Sequence, residues 1–127
     1  MQVCVGEATS ERKCVHSGVP QGSVLGPLLF VLFIDDLPSY LSGVARLFAD
    51  DLKLIYNVSN INVINEDLKM LEEWEQMWLL TFNPSKCKVM HISYNSNPEN
   101  SYILHDTALK ETCSKRDLGI IINNTLN

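Results

Sequence analysis

Positive charge is scarce in this chain. Its 127 residues carry 10 Lys and Arg against 15 Asp and Glu, a net charge of −5. Affinity for nucleic acid comes largely from cations that neutralise phosphates, so weak or no binding of a polyanion is expected of the chain alone. Long apolar runs are lacking as well. The longest, Val24 to Ile34, has 11 residues, whereas a membrane-spanning helix needs about 20. No repeat, low-complexity tract or long linker is present. Cys4, Cys14, Cys87 and Cys113 form no C-x-x-C pair, and His16, His91 and His105 bring no ligand spacing. That excludes a structural zinc site and leaves the histidines as structural residues. Met1 is followed by neither a basic segment nor an apolar core, so no export signal is expected. The chain is then expected to be intracellular, in cytoplasm or nucleus and not secreted, with reduced thiols.

What is present is a pair of adjacent acids in an apolar setting: Leu47-Phe48-Ala49-Asp50-Asp51-Leu52-Lys53-Leu54. The simplest local reading is a hairpin with both acids at its tip, between strands at about 45–49 and 52–57. Two-residue hairpin turns favour Asn-Gly, Asp-Gly or Gly-X because they need φ > 0. Asp-Asp is a poor choice there, and the two carboxylates repel. A plain breach of a local rule points to a functional site. Adjacent carboxylates supply hard oxygen ligands for divalent cations, and two such ions drive in-line phosphoryl transfer. Solvated loop acids would look the same when taken as a pair alone.

The second feature is Ser17-Gly18-Val19-Pro20-Gln21-Gly22-Ser23 followed by the apolar run to Ile34. The first part is loop-forming. The second predicts a buried helix over about 23–37, with Pro27 in its first turn and Ser23 as candidate N-cap. Asp35 and Asp36 oppose the helix dipole at its end and are expected to be solvated.

Elsewhere, Val3, Val5 and 13–16 suggest a hairpin around a Gly6–Ser10 turn. Ile64, Leu68, Leu71, Trp74 and Trp78 fall at helical spacing, with candidate caps in 60–65 and an end near Thr81 ahead of Asn83-Pro84. Trp74 and Trp78 are helix-face core residues. Glu66, Asp67, Lys69, Glu72, Glu73 and Glu75 fill the solvent side. Strands are expected at 87–93, 102–105, 108–112 and 117–122. Interleaved strands and helices give an α+β class, a mixed sheet with helices packed on one face. With 46% hydrophobic residues a single core is feasible. Residues 50–80 hold seven acids and two bases, and residues 81–127 four acids and five bases, so the negative excess lies in the turn and the long helix.

As an ordered string, Ser17 to Leu28 resembles the palm loop-helix of reverse transcriptases of the non-LTR retrotransposon type. Phe48-Ala49-Asp50-Asp51 resembles the aromatic-x-Asp-Asp hairpin of the same enzymes, in the same order. Leu71 to Cys87 is similar to the helix and Lys-bearing loop that follow, and Lys115-Arg116-Asp117-Leu118-Gly119 to the strand of the primer grip. The resemblance covers roughly residues 2 to 122. It implies a partial polymerase palm, with the core at about 1–93 and the first strands of the palm–thumb boundary at about 101–122.

The resemblance also implies roles. Asp50 and Asp51 would hold two Mg²⁺ ions, with Mn²⁺ a substitute, Asp50 being the more direct ligand. Pro20, Gln21 and Gly22 would border the incoming nucleotide and the template, with a plain surface loop as the alternative for Gln21. Phe48 would pack under the turn, near the primer end or simply in the core, and the small Ala49 would let a primer approach. Lys86 would stand near the pyrophosphate, where it could act as an acid, unless Lys88 or a solvated lysine is the truer description. RNA template, DNA primer and deoxynucleoside triphosphates would be the partners of the parent enzyme.

One departure matters. The family uses a third carboxylate from an earlier strand, and no residue here matches it. Glu7 and Glu11 sit on a different hairpin. Asp35 is a dozen residues along the helix from the loop, roughly 18 Å at 1.5 Å per residue. The isolated chain is therefore expected to be inactive. A retrotransposon-derived binding module without catalysis and a small metal-dependent phosphodiesterase are the alternatives.

Overall fold

The computed structural model describes residues 1–14, 18, 22–57, 61–92 and 100–125. The chain divides into two compact units, Met1–Asp35 and Asp36–Asn127. Among the described residues the strands pair in five two-stranded sheets, of which one, Lys88–Val89 with Lys110–Glu111, is parallel.

In the first unit, β1 (Cys4–Val5) and β2 (Ala8–Thr9) form a hairpin with Val5 opposite Ala8. The pattern-based expectation was a longer turn and a return at 13–16. Gly6 explains the difference: at φ 61° it reverses the chain within two residues, which a side chain would resist. Pairing continues through Ser10 N–H to Val3 O and Lys13 N–H to Met1 O, both 2.9 Å. Residues 15–17 lie outside the described part.

Helix α1 (Gly26–Ile34) carries Pro27 in its first turn. Ser23 Oγ accepts the Gly26 N–H at 3.0 Å, although Leu25 holds the N-cap position. The helix ends before 37 because Pro38, in the 3-10 helix Leu37–Tyr40, has no N–H to donate to the Ile34 carbonyl. The expected burial is not found. Leu25, Leu28, Val31 and Leu32 are more than half exposed, and only Ile34 is buried. Uniform apolarity has no stripe that selects an inward face.

In the second unit, β3 (Val44–Phe48) and β4 (Asp51–Ile55) form the acid-bearing hairpin. Helix α2 (Ile61–Trp78) turns the middle of the expected stripe inward: Leu68, Leu71 and Trp74 are buried, whereas Trp78, expected in the core, is exposed at the last turn of the helix. The three buried residues share the core with Leu37, Tyr102 and Leu104. The Trp74 indole N–H donates to Asp36 Oδ1 at 3.1 Å, so Asp36 is not merely solvated. Trp78 and Phe82 flank Trp74, with ring centroids 6.2 and 6.3 Å away. The helix stops at Trp78, short of Thr81. Leu79 takes φ 55° and Leu80 N–H reaches Glu75 O at 3.3 Å, the bond of a Schellman C-terminus.

The remaining strands are shorter than the pattern suggests. They are β5 (Lys88–Val89), β6 (Ile103–Leu104), β7 (Thr107–Ala108), β8 (Lys110–Glu111), β9 (Ser114–Asp117) and β10 (Ile120–Asn123). The single strand expected over 117–122 is instead a hairpin. Leu118 and Gly119, at φ 47° and 86°, supply the two positive-φ positions of a tight turn. Buried His91 ties this region together, with Nδ1 2.9 Å from Glu111 Oε1 and Nε2 2.8 Å from the Tyr102 hydroxyl.

Two acids expected in solvent are instead buried, Asp67 at 2% and Glu75 at 5% exposure. Both fall three or four residues from members of the apolar stripe, hence on its flank. Each is retained there because it finds donors. Glu75 Oε1 accepts the Phe82 N–H, and its Oε2 lies 2.6 Å from His105 Nε2, an ion-pair contact without hydrogen-bond alignment. Asp67 Oδ2 accepts the Ser42 N–H at 2.8 Å, the Gly43 N–H at 2.9 Å and the Tyr56 hydroxyl at 2.7 Å, and Oδ1 lies 3.0 Å from the same Ser42 N–H. Burial pushes the Asp67 carboxyl up, but the bonds from Ser42, Tyr56 and Gly43 outweigh it and hold the group below its ordinary value. Burial first, and then the bond to Asp67 and its charge, push the Tyr56 hydroxyl well above its ordinary value.

These shifts give stability a pH window. A lowered Asp67 contributes above the unfolded aspartate pKa of about 3.9, and the contribution is lost as pH falls through the folded value. A raised Tyr56 contributes below the unfolded tyrosine pKa of about 10 and loses this as pH climbs toward the folded value. Urea unfolding of wild type and Asp67→Asn should therefore show a difference that is constant near neutrality and shrinks below about pH 4. A difference that persists unchanged to pH 2 would contradict the assignment.

Candidate active site

Strand alternation builds the acidic hairpin. Ala45, Leu47, Leu52 and Leu54 are half-buried on one face, while Val44, Arg46, Phe48, Asp51, Lys53 and Ile55 are exposed on the other. The register places Phe48 opposite Asp51 and Leu47 opposite Leu52. The central turn residues are thus Ala49 and Asp50, not Asp50 and Asp51. Asp51 is the first residue of β4. The two carboxylates occupy different backbone settings, one in the turn and one on the outer face.

Ala49 takes φ 50°, the left-handed region that a Cβ disfavours. His105-Asp106 and Leu118-Gly119, also at positive φ, occupy the other tight turns of this unit. The strain at Ala49 is therefore what a tight hairpin demands. Phe48 is 62% exposed, so it neither packs under the turn nor joins the core. Leu47 and Leu52 take the inner face instead.

Asp50 and Asp51 are both exposed, and among the described residues neither carboxylate has a hydrogen-bond or ion-pair partner. Two free hard-oxygen groups fit a magnesium ion that keeps several waters. No group of three or more His, Cys, Asp or Glu able to hold a metal occurs among the described residues.

On the outer face Arg46 stands opposite Lys53, an unfavourable cross-strand pair. Lys53 Nζ is ion-paired to Asp117 Oδ2 of β9, which ties this hairpin to the β9–β10 hairpin. Among the described residues Arg46 donates to the neighbouring Ala45 carbonyl, at 3.0 Å. At the base of the hairpin, away from the acids, lies a groove of about 270 Å³ lined in part by Ser42, Val44, Ile55, Tyr56 and Val63.

The hairpin gathers Phe48, Ala49, Asp50 and Asp51. Lys86 is exposed on a separate turn, where its N–H bonds Asn83 O at 3.0 Å, and no hydrogen bond or ion pair joins its side chain to the acids. Neighbouring Cys87 has its thiol pushed up, first by burial, with Glu75 adding to the effect and Lys115 and Lys88 opposing it. Gly22 belongs to the first unit, is exposed and takes φ 82°. Pro20 and Gln21 lie outside the described residues.

Sequence reasoning missed the base of the hairpin, which is Gly43, Tyr56 and Asp67. A Cβ on Gly43 would lie 2.2 Å from Tyr56 Cε1, so the ring is seated where only glycine leaves room. The one available signal was helical spacing, since Asp67 lies four residues before Leu71.

Exposure of Phe48 has a direct test. Phe48→Ala should change unfolding free energy by no more than about 0.5 kcal/mol, as at other surface positions. A loss of about 3 kcal/mol, typical of a core aromatic, would contradict the register.

The model of one protein family, described as reverse transcriptase (RNA-dependent DNA polymerase), matches residues 2–121. The chain is 28% identical over 129 residues to the RNA-directed DNA polymerase from mobile element jockey of Drosophila funebris, covering 92% of this chain and 14% of that protein. It is 38% identical over 96 residues to the probable RNA-directed DNA polymerase from transposon BS of Drosophila melanogaster, covering 66% and 11%. It is 27% identical over 128 residues to the probable RNA-directed DNA polymerase from transposon X-element of the same fly, covering 94% and 14%. The chain thus spans between 11% and 15% of the length of the curated relatives it matches. No solved structure matches it.

Proposed function

This chain belongs to the reverse transcriptase family, and on that premise we propose that it carries the metal-holding hairpin of an RNA-directed DNA polymerase palm of non-LTR retrotransposon type. The observation that carries the reading is the pair Asp50 and Asp51. Both are exposed and unpartnered among the described residues, and they sit on a hairpin whose inner face and base are anchored. Carboxylates left free at such a place have no structural task.

In this reading Asp50 and Asp51 hold divalent magnesium, with manganese able to substitute. When bound, the metal supplies Lewis-acid stabilisation of the transferring phosphoryl group. The residues of the chain position the reactants. Ala49, with only a methyl group, leaves room for a primer end beside the acids. Exposed Phe48 offers an aromatic face next to Asp51. Gly22 permits close backbone approach, and with Pro20 and Gln21 it borders the nucleotide and template. Lys86 acts on the pyrophosphate side. The substrates of the whole enzyme are an RNA template, a DNA primer and deoxynucleoside triphosphates, handled in the cytoplasm or nucleus. For the whole domain we expect the α+β arrangement of a palm, a mixed sheet with helices packed on one face. Two ligands from this chain are fewer than the two-metal reaction uses, so no primer extension is expected of the chain alone.

Binding of Mn²⁺ by the purified chain, followed by electron paramagnetic resonance, tests the reading. We expect weak binding that Asp50→Asn abolishes and Asp51→Asn reduces, together with no primer extension by the isolated chain. Binding that survives both substitutions would overturn the metal assignment. Clear extension would overturn the need for a further carboxylate.

A further inference from the structure

We infer that Asp67, with Tyr56 and Gly43, sets the pairing register of the acidic hairpin, and so acts as a positioning residue for Asp50 and Asp51. This rests on the metal-holding reading of those two acids.

The argument begins with an ambiguity in the hairpin itself. Ala49-Asp50 and Asp50-Asp51 can each serve as the two-residue turn. Both choices keep Leu47, Leu52 and Leu54 on one face, because the pairing moves by one residue on each strand together. The second choice would even set Arg46 opposite Ile55 and relieve the Arg46–Lys53 repulsion. The strands therefore do not decide the register.

The base of the hairpin does. Continuing the observed pairing past Val44 and Ile55 sets Gly43 opposite Tyr56. The Tyr56 ring occupies the space of a Gly43 side chain, with Cε1 2.2 Å from where a Cβ would be. In the other register Tyr56 would face Ala45, whose methyl group fills that space. Asp67 then joins both sides, taking the Tyr56 hydroxyl at 2.7 Å and the Gly43 N–H at 2.9 Å on the same oxygen. Its position on α2 is fixed by the buried Leu68 and Leu71 beside it. A buried carboxylate that leaves its donors loses far more than a surface ion pair can supply. The clasp thereby dictates that Asp50 is a turn residue and Asp51 a strand residue facing outward.

The test uses Gly43→Ala, Asp67→Asn and the milder Tyr56→Phe in the 127-residue chain. Cross-strand nuclear Overhauser contacts report the register, and Mn²⁺ paramagnetic resonance reports the acids, at a temperature where circular dichroism shows each variant folded. Wild type should show Phe48–Asp51 contacts. In Gly43→Ala and Asp67→Asn these should give way to Ala49–Leu52 contacts, with Mn²⁺ affinity about tenfold weaker, the scale of one lost bond to a charged group. Tyr56→Phe, which keeps the ring, should populate both registers and lose less; it decides the matter if the other two do not fold. Folded variants with Phe48–Asp51 contacts and wild-type Mn²⁺ affinity would overturn the inference. If Asp50→Asn leaves Mn²⁺ binding intact, the metal reading fails by itself, and the cross-strand contacts still judge the clasp.

Discussion

A carboxylate taken out of water on the flank of a helix must find donors, and Asp67 finds them in the main chain of Ser42 and Gly43 and the hydroxyl of Tyr56. A buried charge stripped of its partners costs several kcal/mol, so the three donors cannot drift apart independently. Two come from the segment leading into β3 and one from the residue that follows β4, while α2 carries the acceptor. The hairpin is held at its base on both strands. Among the described residues its outer half is held by the turn, the inner leucines and the Lys53–Asp117 ion pair, and at the tip the free acids sit.

The outer face of the hairpin has a different character. Phe48 and Asp51 form one cross-strand pair, Arg46 and Lys53 the next, Val44 and Ile55 the third. Asp117 supplies the countercharge for Lys53, in a partly exposed pair of the kind that contributes between nothing and about 1 kcal/mol. Little of the fold's stability resides on this face. Its charges and its exposed aromatic ring are available for contacts beyond the chain.

Much of the candidate site was legible in the linear order of residues. An Asp-Asp pair after Phe-Ala, downstream of a Pro-Gln-Gly loop, is a string, and strings survive without coordinates. The inward stripe of α2 was legible for a similar reason, since the helical period is short-range. What escaped depends on long-range contacts. The register of β3 and β4 follows from Tyr56 meeting Gly43 and α2, none of which strand alternation encodes. Asp67 and Glu75 have the charge of a solvent face, and only their spacing of three and four residues from the apolar stripe points inward. Residues 117–122 looked like one strand because Leu118 is apolar, while Gly119 beside it carried the turn signal. The apolar α1 was expected to be buried, yet uniform composition does not say which side meets a neighbour.

The space shared by Gly43 and the Tyr56 ring also shapes the order in which this sequence can change. A bulkier residue at 43 meets the ring at 2.2 Å, whereas a smaller residue at 56 leaves a glycine at 43 undisturbed. Drift is thus one-way at first: position 56 must shrink before position 43 can grow, and a copy that has lost the aromatic ring also leaves Asp67 short of one donor. Among diverging copies, the two positions form a historical record, legible from which of them changed first.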